Sequence, residues 1–391
     1  MKNQLFLLPF FAFLSVFAQI DTVQEKNSLP QPTGKFATGT IKFEIIDENR
    51  ESLFDKTKNR TIIGQVWYPS NFTSGATANY LDPAVVDYMV SIGYFGLDST
   101  TIENFNTVKT NSILNSPIRE KATKLPVIFF VHGLGVSKNF YTTYYEEMAS
   151  QGYFVIALDH PFGGVTATQN KRILSYKQDT LINSSPEILM TRIDQWSKDI
   201  KFIYEKLKNP SSEEFQSWSN FIDLEKIAVV GHSLGGNVAL GIKKYIPEVD
   251  AAINMDGGSY ENVKDGLMLP SMIIRSFPVY SDEELAEKGR TREEWDQMGK
   301  KIDSLHYSLF ENSKTEEIYY VKIEGTGHMS FSDAPYVSPF MITRFGGKIL
   351  DKEQTKDKVL NLVISFLNQE LKREKAVFLE SKPEHMIIEK F

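Results

Sequence analysis

Residues 227–236 read IAVVGHSLGG, and this segment gives the strongest indication of the fold. Its four leading apolar residues predict a buried strand, and residues 237–244 read as a helix. Gly231 and Gly235 permit a tight turn between strand and helix because neither has a side chain. Such a turn forces Ser233 into a strained and exposed position, so we predict that Ser233 is a nucleophile. The alternative is a glycine-rich packing turn without chemistry.

Two backbone amides near this serine are candidates for binding an oxyanion. The Leu234 amide lies at the start of the predicted helix, where N–H groups have no partner within the helix. A second donor is expected from the loop after an earlier strand. The buried strand 125–131 is followed by such a loop, HGLG at 132–135. We predict that the amides of Leu134 and Leu234 form the oxyanion hole, with Gly133 permitting the turn. For this second loop, a plain strand-to-helix turn is the alternative.

A serine nucleophile requires a base, which is usually a histidine oriented by a carboxylate. The chain has six histidines, and we predict that His328 is the base because it lies in the glycine loop 324–329 after a strand. His132 and His232 stand beside turn glycines and are interpreted as supports for those turns. The other three have less suitable positions: His160, His306 and His385.

The acid is expected between the serine and the histidine in chain order. Asp256 meets this condition, since it directly follows the predicted strand 251–255 and precedes two glycines. Asp159 also ends a strand but precedes the serine, so it is interpreted as a structural residue. We therefore predict the catalytic group Ser233, Asp256 and His328.

Strands alternate with helices along most of the chain. Further predicted elements are a helix at about 140–152 and the strands 154–158, 269–275 and 318–323. This order predicts an α/β fold with a mostly parallel central sheet and helices on both faces. An antiparallel pair, 41–45 with 61–68, is expected at the sheet edge. Insertions over the strand ends are expected at about 71–120, 162–186 and 279–314.

Composition excludes several classes of protein. The chain has 391 residues, of which 41% are hydrophobic and 24% charged, as in globular proteins. Its net charge of −7 and the absence of a basic cluster argue against nucleic-acid binding. The absence of cysteine excludes disulfides, thiolate nucleophiles and cysteine-type metal sites. No metal and no organic cofactor are implied.

The N-terminal residues have the pattern of a secretory signal peptide. Lys2 precedes the apolar run 5–17, and the residues before Gln19 predict cleavage after Ala18. An uncleaved anchor is the alternative. We therefore expect a signal peptide at 1–18, an exported catalytic domain at 19–373 and a C-terminal tail at 374–391 that has no assigned role.

These motifs identify a family resemblance. The loop at 132–135, the turn GHSLGG at 231–236 and the position of Asp256 resemble α/β-hydrolases of the plasma platelet-activating-factor acetylhydrolase type, a branch related to the dienelactone hydrolases. The resemblance implies the α/β-hydrolase fold and the roles already given for Ser233, Asp256 and His328. It also implies calcium-independent cleavage of short or oxidised sn-2 acyl chains from phospholipids.

The leading interpretation is an exported serine esterase that hydrolyses short-chain acyl esters, with a small-molecule or lipid ester as its partner. A general carboxylesterase acting on acetylated sugars, polyesters or small esters is the alternative within enzymes. A non-catalytic α/β-hydrolase used for binding is the alternative outside them. The apolar segment 85–95 has two interpretations, a helix that contacts a lipid surface or a buried helix.

Overall fold

An eleven-stranded sheet runs through the part of the chain that this computed structural model describes, residues 27–53, 55–120, 124–175, 185–345, 347–348, 352–381 and 383–391. The predicted signal peptide lies outside the described residues. The strands are β1 (Ala37–Glu51), β2 (Asn59–Ser70), β3 (Thr77–Asn79), β4 (Lys109–Leu114), β5 (Leu125–Val131), β6 (Phe154–Asp159), β7 (Val165–Ala167), β8 (Ile173–Ser175), β9 (Ile222–His232), β10 (Ala251–Met255), β11 (Ser271–Phe277), β12 (Ile318–Glu324) and β13 (Met386–Lys390).

The helices connect successive strands. They are α1 (Pro83–Ser91), α2 (Ser99–Glu103), α3 (Thr142–Ser150), α4 (Pro186–Lys208), α5 (Glu213–Ser219), α6 (Leu234–Gly241), α7 (Asp282–Glu287), α8 (Arg292–Glu311), α9 (Ala334–Val337), α10 (Pro339–Arg344), α11 (Lys352–Lys372) and α12 (Val377–Glu380). Short 3-10 turns at Lys138–Tyr141 and His328–Phe331 carry residues of the candidate site.

The order of strands in the large sheet is β13-β12-β11-β10-β9-β5-β6-β2-β1-β4-β3, and β7 and β8 form a separate hairpin. All neighbours from β12 to β6 are parallel. Their carboxyl ends therefore lie along one edge, where the loops after β5, β9, β10 and β12 meet.

The core lies on both faces of the sheet. Strand β5 is buried along its whole length, which explains its continuous apolar sequence. Its residues alternate between two core clusters: Ile128 and Phe130 face one, and Val127 and Phe129 face the other. The first cluster includes side chains of α3 and α11, and the second includes side chains of α4 and α6. The predicted fold, a mostly parallel sheet with helices on both faces, is confirmed.

The ends of the sheet differ from the expectation. The pair β1 and β2 forms as predicted but is not at the edge, because β4 and β3 of the insertion 71–120 continue the sheet beyond β1. At the other end β13, within the segment assigned to a tail, pairs antiparallel with β12. Residues 386–390 therefore belong to the same sheet as the catalytic domain, and position 373 does not end the sheet.

The apolar segment 85–95 packs inside the protein. Asp82 caps helix α1 by accepting a hydrogen bond from the Ala84 amide at 3.0 Å. Val86 and Met89 of this helix are fully buried, and the partly buried apolar side chains of the segment pack against the same core. The structure therefore agrees with the buried interpretation. Among the described helices, none has the length and apolar character needed to cross a membrane.

A buried carboxyl group connects the segment after β12 to the start of α3. The Asp333 amide donates to the Phe140 carbonyl at 2.7 Å, and Asp333 Oδ1 accepts from the Thr143 amide at 3.2 Å. The side chain is fully buried, and its Oδ2 has no hydrogen-bond partner among the described residues. Burial therefore raises the pKa of Asp333 to about 7.

This raised pKa predicts a pH-dependent loss of stability. The ordinary pKa of the group is 3.8, so above that pH the unfolded chain releases a proton that the folded protein retains until about pH 7. In this window a rise in pH favours unfolding, by up to ~1.4 kcal/mol per pH unit from this group. We expect Asp333→Asn to keep the acceptor for Thr143 and to become more stable relative to wild type as pH rises.

Thermal unfolding measured at several values from about pH 4 to about pH 8 tests this expectation. Asp303→Asn is the control, because Arg275 and Lys322 form ion pairs with Asp303 and its pKa is lowered. A melting-temperature difference between Asp333→Asn and wild type that stays constant across the range contradicts the prediction.

Candidate active site

The turn between β9 and α6 holds Ser233 in a strained conformation. Strand β9 ends at His232 and the helix begins at Leu234, so Ser233 alone makes the turn. Its φ of 56° and ψ of −124° are unfavourable for a residue with a side chain. The Ser233 amide donates to the Met255 carbonyl of β10 at 2.9 Å, which fixes the turn to the neighbouring strand.

The glycines around this serine are required by close backbone contacts. A Cβ on Gly231 would overlap the carbonyl of Gly235, and a Cβ on Gly235 would overlap the carbonyl of Val131 in β5. Strand β9 and helix α6 can therefore approach each other only without side chains at these two positions. The two glycines of the sequence motif are therefore the residues that this close packing requires.

Asp256 and His328 form a direct pair. His328 Nδ1 donates to Asp256 Oδ2 at 2.7 Å, and the side chain of Asp256 is 11% exposed. Burial alone would raise the pKa of Asp256. The hydrogen bond from His328 and the electrostatic interaction with it, together with two donors from Ser276, outweigh burial and lower this pKa to about 2. Asp256 is therefore a carboxylate throughout the neutral pH range.

Two residues that the sequence analysis missed hold this carboxylate in place. The Ser276 amide donates to Asp256 Oδ1 at 2.7 Å, and the Ser276 hydroxyl donates to Oδ2 at 3.0 Å. Asn254 is fully buried and accepts from the Gly257 amide at 2.7 Å, which closes the turn around Asp256. Asp256 itself has a φ of 56°. A polar residue inside an otherwise apolar strand, as Asn254 is, was the available sequence signal.

His328 lies beside the serine turn. Its imidazole ring is 4.5 Å from the ring of His232, the residue that precedes Ser233. His232 Nε2 also donates to the His328 carbonyl at 2.9 Å. In the same loop, the Gly327 amide donates to the Ser330 hydroxyl at 3.0 Å. The predicted nucleophile, acid and base thus lie in one place at the carboxyl edge of the sheet.

The loop after β5 is in contact with the serine. A Cβ built on Gly133 would be 3.2 Å from Ser233 Cβ, so this glycine directly adjoins the serine turn. Tyr94 supports the loop by donating to the Gly135 carbonyl at 3.0 Å. Within the described residues, the amides of Leu134 and Leu234 donate to no other group. These are the two amides that the sequence analysis predicts as oxyanion donors, and that role stays a prediction.

The other histidine of this loop has a supporting position. His132 Nδ1 bonds the Gly133 carbonyl at 2.7 Å, and its Nε2 accepts from the His160 amide at 3.1 Å. Burial lowers the pKa of His132 to about 4, so the ring is neutral. Asp159 pairs with Lys138 at 2.6 Å and does not contact the Asp256–His328 pair. These contacts agree with the structural interpretation of His132 and Asp159.

A cavity lies to one side of this group. It has a volume of about 270 Å³ and is lined by residues of β1, α1 and the β7–β8 hairpin, including Lys42, Asp82 and Lys138. Neither Ser233 nor His328 lines it. Within the described part of the chain, no group of three or more histidine, aspartate or glutamate side chains could hold a metal ion.

Two family models and several individual proteins are similar in sequence to this chain. The family described as platelet-activating factor acetylhydrolase, isoform II, matches residues 21–173, and that described as serine aminopeptidase, S33, matches residues 123–255. A platelet-activating factor acetylhydrolase of Canis lupus familiaris is 32% identical, over 55% of this chain and 52% of the relative. One of Cavia porcellus is 24% identical, over 68% of this chain and 62% of the relative.

A solved structure shows the same fold. The ferulic acid esterase from Streptomyces cinnamoneus superposes with a TM-score of 0.72 at 21% identity, covering 94% of this chain and all of that one. A parallel sheet with a serine turn after β9, an aspartate after β10 and a histidine after β12 defines the α/β-hydrolase class. Within this class, the chain is similar in sequence to platelet-activating factor acetylhydrolases, which confirms the resemblance.

The close contacts at the serine turn predict which glycines tolerate a methyl group. Gly231→Ala and Gly235→Ala place Cβ against backbone atoms that cannot rotate away, so we expect each to lose about 3 kcal/mol or more of folding stability. Gly299→Ala is the control, since Gly299 lies inside α8 with nothing within 4 Å of its added Cβ. We expect it to gain up to ~1 kcal/mol. Urea unfolding of the three variants measures this. Equal stabilities for Gly235→Ala and Gly299→Ala would exclude the packing argument.

Proposed function

We propose that this protein is a serine esterase that hydrolyses short-chain acyl esters through an acyl-enzyme on Ser233. The observation that carries the proposal is the 2.7 Å hydrogen bond between His328 and Asp256, beside the strained turn that presents Ser233. A largely buried carboxylate paired with an imidazole next to a partly exposed serine is the arrangement that activates a hydroxyl for acyl transfer.

Each residue has a role in the proposed reaction. His328 Nε2 takes the proton of Ser233 as Oγ attacks the ester carbonyl carbon. The amides of Leu134 and Leu234 stabilise the negative oxygen of the tetrahedral intermediate. His328 then returns the proton to the leaving alcohol as the C–O bond breaks. A water molecule, deprotonated by His328, then attacks the acyl carbon. The bond from this carbon to Ser233 Oγ breaks, and His328 returns the proton to Oγ, which releases the acid and free Ser233. Asp256 holds His328 in the tautomer with the proton on Nδ1.

We propose sn-2 acetyl or short-acyl phospholipids as the substrate class. The names and similarity of the relatives from Canis lupus familiaris and Cavia porcellus support this choice. The chain spans 52% and 62% of the lengths of those relatives, so the substrate remains part of the proposal. Lipid-surface contact through residues 85–95 is not part of it, because that segment packs in the core. The pattern of residues 1–18 supports the further proposal that the protein is exported.

A matched pair of phosphatidylcholines tests the nucleophile and the substrate together. We expect release of the acid from the sn-2 acetyl lipid but not from the sn-2 palmitoyl lipid, and no release by Ser233→Ala. Ser217→Ala, which changes an exposed serine of α5, is the control and should retain wild-type activity. Activity on neither lipid, with Ser233-dependent cleavage of p-nitrophenyl acetate, would move the substrate to the general carboxylesterase alternative. Absence of any Ser233-dependent hydrolysis would refute the esterase proposal.

Asp256→Asn tests the acid. The amide nitrogen facing His328 would donate to Nδ1 and force the proton onto Nε2, where it blocks acceptance from Ser233. We expect kcat for p-nitrophenyl acetate to fall by about 10⁴-fold, as for the same change in other triads. Asp303→Asn, which removes a carboxylate that does not contact His328, should stay near wild type. A loss of less than about 10-fold in Asp256→Asn would exclude Asp256 as the triad acid.

A further inference from the structure

A continuous chain of hydrogen bonds connects two loops of the candidate site. One is the loop after β5, residues 132–136, here called the oxyanion loop; the other is the loop after β12, residues 325–331, here called the base loop. The Gly133 amide donates to Tyr141 Oη at 3.1 Å. Tyr141 Oη lies 2.8 Å from His232 Nδ1, and His232 Nε2 lies 2.9 Å from the His328 carbonyl oxygen. We propose that Tyr141 and His232 are positioning residues that lock the oxyanion loop to the loop of the catalytic base. This inference rests on the proposed function and extends it.

The donors and acceptors allow only one direction along this chain. A carbonyl oxygen only accepts, so the proton of His232 must be on Nε2 for the bond to His328. The Nδ1 atom of the neutral ring is then an acceptor, and it takes the single hydroxyl proton of Tyr141. That hydroxyl in turn accepts from the Gly133 amide. Each of the three hydrogen bonds therefore has a defined donor, and none can reverse while the others remain.

The surroundings keep His232 in the required neutral form. Its side chain is buried, and burial together with the nearby His328 lowers its pKa to about 3. The titratable groups that act on it are His328 and, with the opposite sign, Asp256. Tyr141 is also fully buried and packs on Phe130 of β5 with ring centroids 5.1 Å apart. Both linking side chains are therefore held by the core.

The connected loops come from distant positions in the sheet. The oxyanion loop follows β5 and the base loop follows β12, and strands β9, β10 and β11 separate them. The linking residues stand between the loops: a Cβ on Gly133 would be 3.1 Å from His232 Nδ1, and the rings of His232 and His328 are 4.5 Å apart. Because acyl transfer needs the base and the oxyanion donors at fixed positions around one carbon, this link matters for the chemical step.

Tyr141→Phe is the principal test, with Tyr145→Phe as its matched control. Tyr145 is equally buried and loses the hydrogen bond from its hydroxyl to the Lys138 carbonyl at 2.8 Å, but its hydroxyl forms no hydrogen bond with the linking chain. On p-nitrophenyl acetate we expect Tyr141→Phe to lower kcat by about 10–100-fold with KM changed by less than about 3-fold. Tyr145→Phe should change kcat by less than about 3-fold. Equal kcat losses in the two variants would overturn the proposal.

Two variants of His232 separate positioning from packing. In His232→Gln the amide nitrogen can still donate to the His328 carbonyl, whereas His232→Leu fills the space without a donor. We expect His232→Gln to be the more active, and the loss in Tyr141→Phe combined with His232→Leu to be smaller than the product of the single losses. Equal activity of His232→Gln and His232→Leu, or independent effects in the double variant, would contradict the link.

Amide hydrogen exchange tests the link without reference to activity. Removing the Tyr141 hydroxyl should speed exchange in both loops, 132–136 and 325–331, whereas Tyr145→Phe should leave 325–331 at the wild-type rate. Exchange that rises in only one loop of Tyr141→Phe would refute the link even if Ser233 is the nucleophile. If the wild-type protein shows no Ser233-dependent hydrolysis, the proposed function fails, and the exchange result still decides whether the two loops are connected.

Discussion

The structure depends on the close approach of strand β9 and helix α6, whose backbones contact each other with no space for a side chain between them. Gly231 and Gly235 face each other and the backbone of β5 with no space for a Cβ. This contact bends the chain so sharply that Ser233 occupies a left-handed conformation. It also brings the first turn of the helix next to the loop after β5. The same steric constraint thus places the serine and both candidate oxyanion amides.

Two buried aspartates show how local donors control charge in this protein. Asp256 is largely buried and Asp333 is fully buried, and burial alone raises the pKa of each. Asp256 receives hydrogen bonds from His328 and twice from Ser276, so its pKa is about 2. Asp333 has one oxygen without a partner among the described residues, and its pKa is about 7. The number of donors, together with the electrostatic interaction between Asp256 and His328, accounts for the opposite shifts.

The central part of the fold could be predicted from sequence, and the periphery could not. Strands β5 and β10 span the residues predicted, because strands buried on both faces have continuous apolar sequences that few other structures share. Strands β3, β4 and β13 were missed. They are short and lie at the ends of the sheet, where pairing depends on which edge is free rather than on the strand's own sequence. The candidate site likewise contains residues that could be predicted from sequence and residues that could not. Ser233, Asp256 and His328 follow strands in a recognisable order, whereas Ser276 and Tyr141 contribute only through contacts between distant segments.

Strand β13 affects how the protein behaves when residues 386–391 are missing. It covers the outer edge of β12, with bonds in both directions between Phe391 and Ile318. A molecule that lacks residues 386–391 exposes a row of unpaired N–H and C=O groups along β12. An open edge of this kind recruits strands from other molecules, so such fragments would be prone to aggregation. By covering the edge of β12, strand β13 therefore protects the solubility of the protein, although it contributes no residue to the candidate active site.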